Sequence, residues 1–212
     1  MADAQRRDHS TTVTVAECEL DRSELLGPRA DLVYQSLLTT LHLPGDVAEC
    51  GAYEGVTAAS MARLVAHLET GKLVHVFDTF SGFPDVVTQE ERQTSVWPEL
   101  EPGKYAADPA KMARILGSAP NVRVYPGRFA DVFSTFDRPL CFIHSDSDLH
   151  ISTLETIELA ARILVPGGLI LFDDFGNPRL PGVRLAVERA LDPELFEGRW
   201  LPDSIQFLAV RR

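Results

Sequence analysis

The fold is decided by one stretch in the first third of the chain, Val47-Ala48-Glu49-Cys50-Gly51-Ala52-Tyr53-Glu54-Gly55. Its first four residues form a mainly apolar run that predicts a buried strand, and the two glycines predict a tight turn. From Thr57 to Leu68 the apolar residues recur at helical spacing. A strand, a turn and a helix in direct succession are typical of the first unit of a parallel α/β sheet.

The same alternation continues to the C-terminus. Strands are predicted at 47–50, 73–77, 122–125, 140–144 and 169–172, with a closing antiparallel pair at 200–201 and 205–210. Helices are predicted at 31–41, 57–68, 109–116, 152–164 and 181–191, with a brief amphipathic segment at 129–136. We therefore expect a Rossmann-like α/β fold, with a mainly parallel seven-stranded sheet, an antiparallel last strand and helices on both faces.

Length and composition fit one globular domain. The chain has 212 residues, 45% of them hydrophobic, which is enough for one sizeable core. We therefore expect a single domain over 1–212, with a helical segment at 1–43 on the substrate side. The insertion at 85–108 is too long for a simple connection, so we interpret it as a lid-like segment.

Charge and cysteine content exclude several classes of protein. The net charge of −11 disfavours binding to nucleic acid, because a phosphate backbone would be repelled. The polar N-terminus and the lack of a long apolar window predict a chain that is neither exported nor membrane-bound. An odd number of cysteines, with Cys50 and Cys141 inside apolar runs, fits a reducing cytoplasm. The expected partner is a small molecule.

The glycine turn after the first strand is suited to a bound cofactor. Backbone N–H groups can approach a ligand closely there, and the following helix N-terminus favours an anionic group. A nicotinamide-type turn would have the spacing GxGxxG, whereas this one has GxxxG with Glu49 two residues ahead of Gly51. A carboxylate at that place suits a ligand with a cationic part, which indicates S-adenosylmethionine. The alternative is that the glycines only make a tight turn.

Two further turns are predicted to reach the same cleft. Asp78 ends the second strand, where a carboxylate can accept hydrogen bonds from ribose hydroxyls; the alternative is an aspartate that caps a turn. Gly127, Arg128 and Phe129 follow the third strand and could flank an adenine ring. An ordinary turn glycine followed by a core phenylalanine would give the same pattern.

Four carboxylates follow two neighbouring strands. Asp146 and Asp148 end the fourth strand, and the tandem Asp173-Asp174 ends the fifth. Like charges brought together raise one another's pKa unless a cation lies between them. A hard divalent cation with oxygen ligands, most simply Mg²⁺, would satisfy that need. The alternative, in which each aspartate caps a helix or turn, suits Asp148 but does not explain the tandem pair.

Two histidines bracket this acidic cluster. His150 follows the aspartates in a predicted loop and is the better candidate for a general base near neutral pH. His144 lies on a predicted buried strand, where a core or supporting role is the simpler interpretation.

Four separated motifs resemble the macrocin O-methyltransferase family. They match in order along residues 44–187 and consist of Pro44-Gly45-Asp46-Val47-Ala48-Glu49-Cys50-Gly51, Val76-Phe77-Asp78-Thr79-Phe80-Ser81-Gly82-Phe83-Pro84, Asp146-Ser147-Asp148-Leu149 with Ser152-Thr153, and Pro166-Gly167-Gly168 to Asp173-Asp174-Phe175-Gly176 with Pro181-Gly182-Val183. The resemblance implies a class I methyltransferase fold, S-adenosylmethionine as methyl donor, and Mg²⁺-dependent O-methylation, often of a sugar hydroxyl on a bacterial natural product.

The resemblance also implies roles for single residues. It makes Asp146, Asp173 and Asp174 the metal ligands and places Glu49, Gly51 and Asp78 at cofactor positions. Asp146 and His150 are assigned as catalytic residues from the acidic cluster and the histidine beside it. The residues assigned to the cofactor cleft are Glu49, Gly51, Ala52, Tyr53, Gly55, Thr57, Asp78, Thr79, Ser81, Gly127, Arg128, Phe129 and Ser145. Two departures from the family pattern are His150, where a tyrosine is more usual, and the short segment before Glu49.

Other functions stay open at this point. A metal-independent N- or O-methyltransferase would keep its activity under chelation, and a non-catalytic S-adenosylmethionine-binding module would bind cofactor without turnover. The acceptor is expected to lie beneath the lid-like segment, which carries Trp97 and Tyr105. The family resemblance also favours a homo-oligomer, most simply a dimer.

Overall fold

The computed structural model describes residues 28–84, 91 and 100–212. The helices are α1 (Pro28–Thr40), α2 (Val56–His67), α3 (Pro109–Gly117), α4 (Phe129–Phe133), α5 (His150–Ile163) and α6 (Pro181–Ala190). The strands are β1 (Asp46–Cys50), β2 (Val74–Asp78), β3 (Val122–Pro126), β4 (Leu140–Ser145), β5 (Leu164–Phe172), β6 (Phe196–Leu201) and β7 (Gln206–Arg211). Most of the insertion at 85–108, including Trp97, lies outside the described residues, as do Cys18 and the rest of 1–27.

All seven strands form one sheet, in the order β3-β2-β1-β4-β5-β7-β6. The strands β1 to β5 pair in parallel, while β7 runs antiparallel to both β5 and β6. The strands β1, β2 and β3 are added in one direction across the sheet, whereas β4 and β5 are added on the other side of β1. The order of strands therefore reverses between β1 and β4. Ligands of α/β sheets bind outside the carboxyl ends of the strands at such a switch point. The predicted seven-stranded sheet with an antiparallel last strand is confirmed.

Helices cover both faces of the sheet. On one face, α1, α2 and α3 pack against the strands through side chains such as Leu37, Leu64 and Leu116. On the other face, α4, α5 and α6 bury Phe133, Ile157 and Val187. The central strands are buried on both sides, so the loops that follow β1, β2, β4 and β5 are held on a rigid edge.

Several element boundaries differ from the sequence expectation. Strand β5 begins at Leu164 rather than Leu169, because Leu164 already pairs with Leu140 and a register shift in β4 accommodates the Pro166-Gly167-Gly168 segment. Helix α5 begins at His150 rather than Ser152. Helix α1 begins at Pro28, and proline is favoured in a first helical turn because its missing N–H would have no helical partner there.

Two smaller expectations can also be checked. No helix within the described ranges combines the length and apolar character that crossing a bilayer requires. Cys50 and Cys141 are buried, free thiols, and burial raises the pKa of both. They act as small core side chains.

Candidate active site

A cavity of about 350 Å³ opens at the carboxyl edge of β1, β2 and β4. Its walls come from the turns that follow these strands and from the first turn of α5. The lining residues include Glu49, Gly51, Ala52, Tyr53, Thr57, Asp78, Thr79, Phe83, Lys104, Tyr105, Arg128, Phe129, Asp146, Ser147, Asp148, Ile151, Ser152 and Glu155. The predicted cofactor turn and part of the predicted acidic cluster therefore share one cavity.

The turn after β1 is pressed against the turn after β4. Gly51 has a φ of +86°, in the region that glycine adopts most readily, and its α-carbon faces the backbone of Asp146 and Ser147. The backbone N–H of Asp146 donates to the carbonyl of Cys50 at 2.8 Å. This contact fixes the glycine turn and the acidic turn relative to each other.

Asp78 organises the glycine turn as well as lining the cavity. Its Oδ2 accepts hydrogen bonds from the backbone N–H groups of Ala52 at 2.7 Å and Tyr53 at 2.9 Å. Its Oδ1 accepts from the N–H of Phe80 at 2.7 Å. Asp78 therefore does cap the turn, as the alternative interpretation expected. If it also binds ribose hydroxyls, it must do so with the remaining lone pairs of the same carboxylate.

The other residues predicted to bind cofactor divide into two groups. Nine of the thirteen line the cavity, namely Glu49, Gly51, Ala52, Tyr53, Thr57, Asp78, Thr79, Arg128 and Phe129. The cavity-lining set among the described residues does not include Gly55, Ser81, Gly127 or Ser145. Gly55 instead has a φ of +87° beside Leu116, and Ser145 is buried within β4. These four shape the turns behind the wall.

Glu49 and His144 form a buried pair below the cavity floor. His144 Nδ1 lies 3.0 Å from Glu49 Oε1, and Oε2 of Glu49 has no hydrogen-bond partner. Burial raises the pKa of Glu49, and His144 only partly offsets that shift. Burial by itself would lower the pKa of His144, but Asp173 and Glu49 outweigh it and raise that pKa to about 10. His144 is therefore a buried supporting residue beneath the acidic cluster.

The four aspartates do come together at the sheet edge, in two overlapping groups. Oxygens of Asp146, Asp148 and Asp174 lie within 4.8 Å of one another, and so do ligand atoms of His144, Asp146 and Asp173. Burial and the neighbouring carboxylates raise the pKa of Asp146 and Asp148 well above the ordinary value. Asp148 and Asp174 also have positive φ angles of 63° and 57°, which is uncommon outside glycine.

A cation from the N-terminal helix already contacts this cluster. Arg29, in the first turn of α1, donates from Nε to Asp173 Oδ1 at 3.0 Å and places Nη2 2.5 Å from Asp173 Oδ2. The same Nη2 lies 3.7 Å from Asp174 Oδ2. Burial would raise the pKa of Asp173, but His144 and Arg29 lower it instead. The sequence analysis missed Arg29, because 144 positions separate it from its partner.

His150 does not lie where a general base was expected. It is buried at the start of α5, and its Cβ would lie 3.0 Å from a methyl group placed on Gly182 of α6. The Glu91 carboxylate accepts a hydrogen bond from its backbone N–H. The cavity-lining residues, as far as the chain is described, do not include His150. Its catalytic role stays a prediction that this geometry does not favour.

The mouth of the cavity carries aromatic side chains that the sequence analysis had only partly identified. Tyr53 and Tyr105 are each about 40% exposed, and their ring centroids lie 6.1 Å apart in an edge-to-face arrangement. Phe83 packs edge-on against Tyr105 at 5.4 Å, and the ammonium of Lys104 lies over the ring of Tyr105. Such a wall can contact the flat face of a sugar or an aryl ring.

Comparison with known proteins shows the family to which the chain belongs. Residues 48–175 match the family model described as a methyltransferase domain. The chain is 31% identical over 142 residues to the 8-demethyl-8-(2,3-dimethoxy-alpha-L-rhamnosyl)-tetracenomycin-C 4'-O-methyltransferase of Streptomyces olivaceus, covering 63% of this chain and 54% of that protein. It is also 31% identical over 162 residues to the mycinamicin III 3''-O-methyltransferase of Micromonospora griseorubida, covering 71% and 61%. The chain thus spans little more than half the length of these two relatives.

Solved structures show the same fold. The O-methyltransferase NovP superposes with a TM-score of 0.74 at 24% identity, covering 86% of this chain and 79% of NovP. The calicheamicin methyltransferase CalS11 gives a TM-score of 0.70 at 24% identity, covering 86% and 76%. The family match covers more than half of the 212 residues and includes the glycine turn, Asp78 and the acidic cluster. The chain therefore belongs to the methyltransferase domain family and has the class I methyltransferase fold.

Proposed function

We propose that this chain is an S-adenosylmethionine-dependent, divalent-cation-dependent O-methyltransferase. Its acceptor is a hydroxyl of a small molecule, most simply a bacterial natural product or its sugar. The proposal rests on one observation. The glycine turn, which suits the cofactor, is in close backbone contact with the acidic turn, which suits a cation, and both turns line one cavity. The two relatives, described as O-methyltransferases of a rhamnosyl-tetracenomycin and of mycinamicin III, support the acceptor class.

The acidic cluster fits a hard divalent cation. Carboxylate oxygens are the ligands that Mg²⁺ prefers, and Asp146 belongs to both groups of closely spaced ligand atoms. Asp173 Oδ2 and His144 Nε2 are buried and form no hydrogen bond, although both lie within ion-pair distance of opposite charges. Asp146, Asp173 and Asp174 are the residues that would hold the ion. The ion would supply a positive charge that lowers the pKa of the acceptor hydroxyl.

The chain's own residues bind and orient the two substrates. S-adenosylmethionine supplies an electrophilic methyl group on a sulfonium, and the turn held by Asp78 presents the N–H-rich backbone against which such a ligand would lie. During transfer a C–O bond forms, the C–S bond breaks with its electron pair going to sulfur, and the hydroxyl proton must be accepted. Asp148 lines the cavity whereas the described lining does not include His150, so the Asp148 carboxylate is better placed for that proton.

A metal-independent methyltransferase is the second candidate, and Arg29 is the observation that favours it. Its guanidinium already neutralises Asp173 and approaches Asp174. An enzyme with a built-in cation at this place would need no ion for stability. The two candidates differ in their response to chelation, because only the first requires a metal for turnover.

The test is methyl transfer from labelled S-adenosylmethionine to a panel of deoxysugar glycosides of polyketides, with and without EDTA. We expect transfer that EDTA abolishes and Mg²⁺ restores, and a loss of at least about a hundredfold in Asp146→Asn, as expected when a Lewis acid is lost. Asp131→Asn changes an exposed carboxylate of α4 by the same chemistry and is the matched control. Transfer that survives EDTA favours the metal-independent candidate, and cofactor binding without transfer to any acceptor favours a binding module.

A further inference from the structure

We propose that Arg29 and the divalent cation are alternative counter-ions of the tandem aspartates, so that binding of the metal displaces the Arg29 side chain from Asp173. This inference rests on the proposed metal site and adds to it a residue from the far N-terminal part of the described chain. It explains why the predicted ligand set is divided in the structure. Asp146 belongs to both groups of ligand atoms, but Asp174 groups with Asp146 and Asp148, whereas Asp173 groups with Asp146 and His144 and faces Arg29.

Arg29 occupies both carboxylate oxygens of Asp173. Nε donates a hydrogen bond to Oδ1 at 3.0 Å, and Nη2 lies 2.5 Å from Oδ2 as an ion-pair contact. The guanidinium thus approaches the carboxylate in a two-pronged arrangement in which only the Nε contact is a hydrogen bond. The Nη2 atom also lies 3.7 Å from Asp174 Oδ2, so the positive charge bridges the pair. A divalent cation coordinated by the same two carboxylates would meet a like charge at short range.

The two counter-ions differ in how easily they can leave. Asp173 is buried at the end of β5 and is held by the sheet, and the N–H of Asp174 donates to Asp173 Oδ1 at 3.1 Å. The Arg29 side chain is 32% exposed and extends from the first turn of α1. Its long stem can therefore rotate into water, while the carboxylate cannot move away. The arginine is the mobile partner.

Without either cation, the acidic edge would hold buried carboxylates close together. Asp173 is 2% exposed and Asp174 is 6% exposed, and isolated buried charges are costly. In the metal-free protein Arg29 relieves that cost, and in the metal-bound protein the ion does so. The arginine thus stabilises the empty site and sets how tightly the ion binds, because the ion must replace it.

Arg29→Gln is the direct test, with Mn²⁺ alone as the probe. Free Mn²⁺ measured by electron paramagnetic resonance gives the dissociation constant without turnover. We expect Arg29→Gln to bind Mn²⁺ on the order of tenfold more tightly than the wild type, a typical size for coupling between two sites. Arg29→Lys keeps the charge but loses the two-pronged geometry, so its affinity should lie between the two. Arg189→Gln removes an exposed arginine from the last turn of α6 and should bind like the wild type.

Thermal melting separates competition from an ordinary structural role. In EDTA, Arg29→Gln should melt several degrees below the wild type, because the ion pair is lost. In saturating Mn²⁺ that difference should disappear, because the arginine has already left Asp173. A structural ion pair would lower both melting temperatures equally, and that result would overturn the proposal.

The possible failures are distinguishable. Equal Mn²⁺ affinity in the wild type, Arg29→Gln and Arg29→Lys would overturn the competition and leave the proposed metal site intact. Tighter binding by the wild type than by Arg29→Gln would overturn it also, since Arg29 would then support the ion. Absence of Mn²⁺ binding in all variants would overturn both the competition and the metal-dependent function.

Discussion

A β-carbon placed on Gly51 would lie 2.2 Å from the carbonyl oxygen of Asp146 and 2.8 Å from the Cα of Ser147. Both neighbours are backbone atoms on the edge of the sheet, so neither can move aside without breaking the contact between the two turns. The absence of a side chain at Gly51 is therefore a requirement of the site as well as of the turn.

Gly51→Ala should destabilise the protein by roughly 3 kcal/mol or more, as expected for a backbone clash in a packed region. Gly71→Ala is a matched control, because Gly71 has a similar φ of +72° with no atom within 4 Å of the added carbon. That control should cost only about 1–2 kcal/mol, the cost of a left-handed conformation. Urea unfolding of both variants measures the difference. Equal losses would show that the close approach to Asp146 has no energetic weight.

Asp78→Asn is expected to weaken both the fold and the cofactor site. An amide can replace only part of the acceptor capacity that serves Ala52, Tyr53 and Phe80, so the free energy of unfolding without ligand should fall by about 1–3 kcal/mol. Calorimetry with S-adenosylhomocysteine should show a loss of similar size. Asp192→Asn makes the same chemical change at a carboxylate that accepts from the N–H of Glu194, and it should leave cofactor affinity unchanged. Unchanged stability of Asp78→Asn would mean that its backbone contacts are dispensable.

Sequence reasoning located the residues that follow a strand but not their distant partners. The positions of Asp78, Asp146 and Asp173 follow from strand ends, which periodicity identifies. The contact of Arg29 with Asp173 and that of Glu91 with His150 depend on packing between elements far apart in the chain. A lone arginine in a helical pattern carries no signal of such a partner, so these contacts required the structure.

At the scale of elements, the strands could be predicted from apolar runs because the strands are almost completely buried. Strands β1 and β4 are buried at every position, and such runs stand out from the polar turns beside them. The start of β5 was missed because its Pro166-Gly167-Gly168 segment has the composition of a turn. The short α4 was predicted too long at its C-terminal end, where Phe136 packs beneath the sheet although it lies outside the helix.

The edge of the sheet opposite the cavity contains a second buried histidine–carboxylate contact. Strands β1 and β2 bring Asp46 Oδ2 within 3.0 Å of His75 Nε2, and Arg138 donates to the same oxygen at 2.8 Å. His75 Nδ1 lies 3.0 Å from the Tyr125 hydroxyl. Burial lowers the pKa of His75, and Arg138 and Arg123 add to that shift against the opposing effect of Asp46.

This pair makes stability depend on pH. Because the folded pKa of His75 is below its ordinary value of 6.5, its contribution is fully present above pH 6.5 and is lost as pH falls through the lower folded pKa. The pKa of Asp46 is also lowered, because its hydrogen bonds outweigh burial, so its contribution is lost in the same direction at lower pH. Wild type minus His75→Gln should therefore show a difference in unfolding free energy that shrinks from pH 7.5 to pH 5. A difference that grows on acidification would contradict the lowered pKa.

At the scale of the whole molecule, the net charge of −11 reflects an excess of acidic residues, and the cavity shares that excess. The described lining of the cavity contains five carboxylates and two cationic side chains, namely Glu49, Asp78, Asp146, Asp148 and Glu155 against Lys104 and Arg128. Low-dielectric walls strengthen such a field inside a cleft. The sequence showed an excess of acidic residues. Which of these residues share one cavity depends on the order of strands in the sheet.

This field should make the protein distinguish the methyl donor from the demethylated product by charge. S-adenosylmethionine carries one positive charge more than S-adenosylhomocysteine, so without metal it should bind more tightly, by about 1 kcal/mol or more for unit charges in a partly buried site. A bound divalent cation would cancel much of the negative potential of the cavity. The preference for S-adenosylmethionine over S-adenosylhomocysteine should then shrink or reverse. Calorimetry of both ligands in EDTA and in millimolar Mg²⁺ measures the two ratios, with NaCl at matched ionic strength as the control for screening. An equal ratio of the two affinities in EDTA and in Mg²⁺ would show that no cation enters the acidic cluster beside the cofactor. A change of that ratio in Mg²⁺ that NaCl does not reproduce would show that the charge of the cavity determines which of the two ligands binds more tightly.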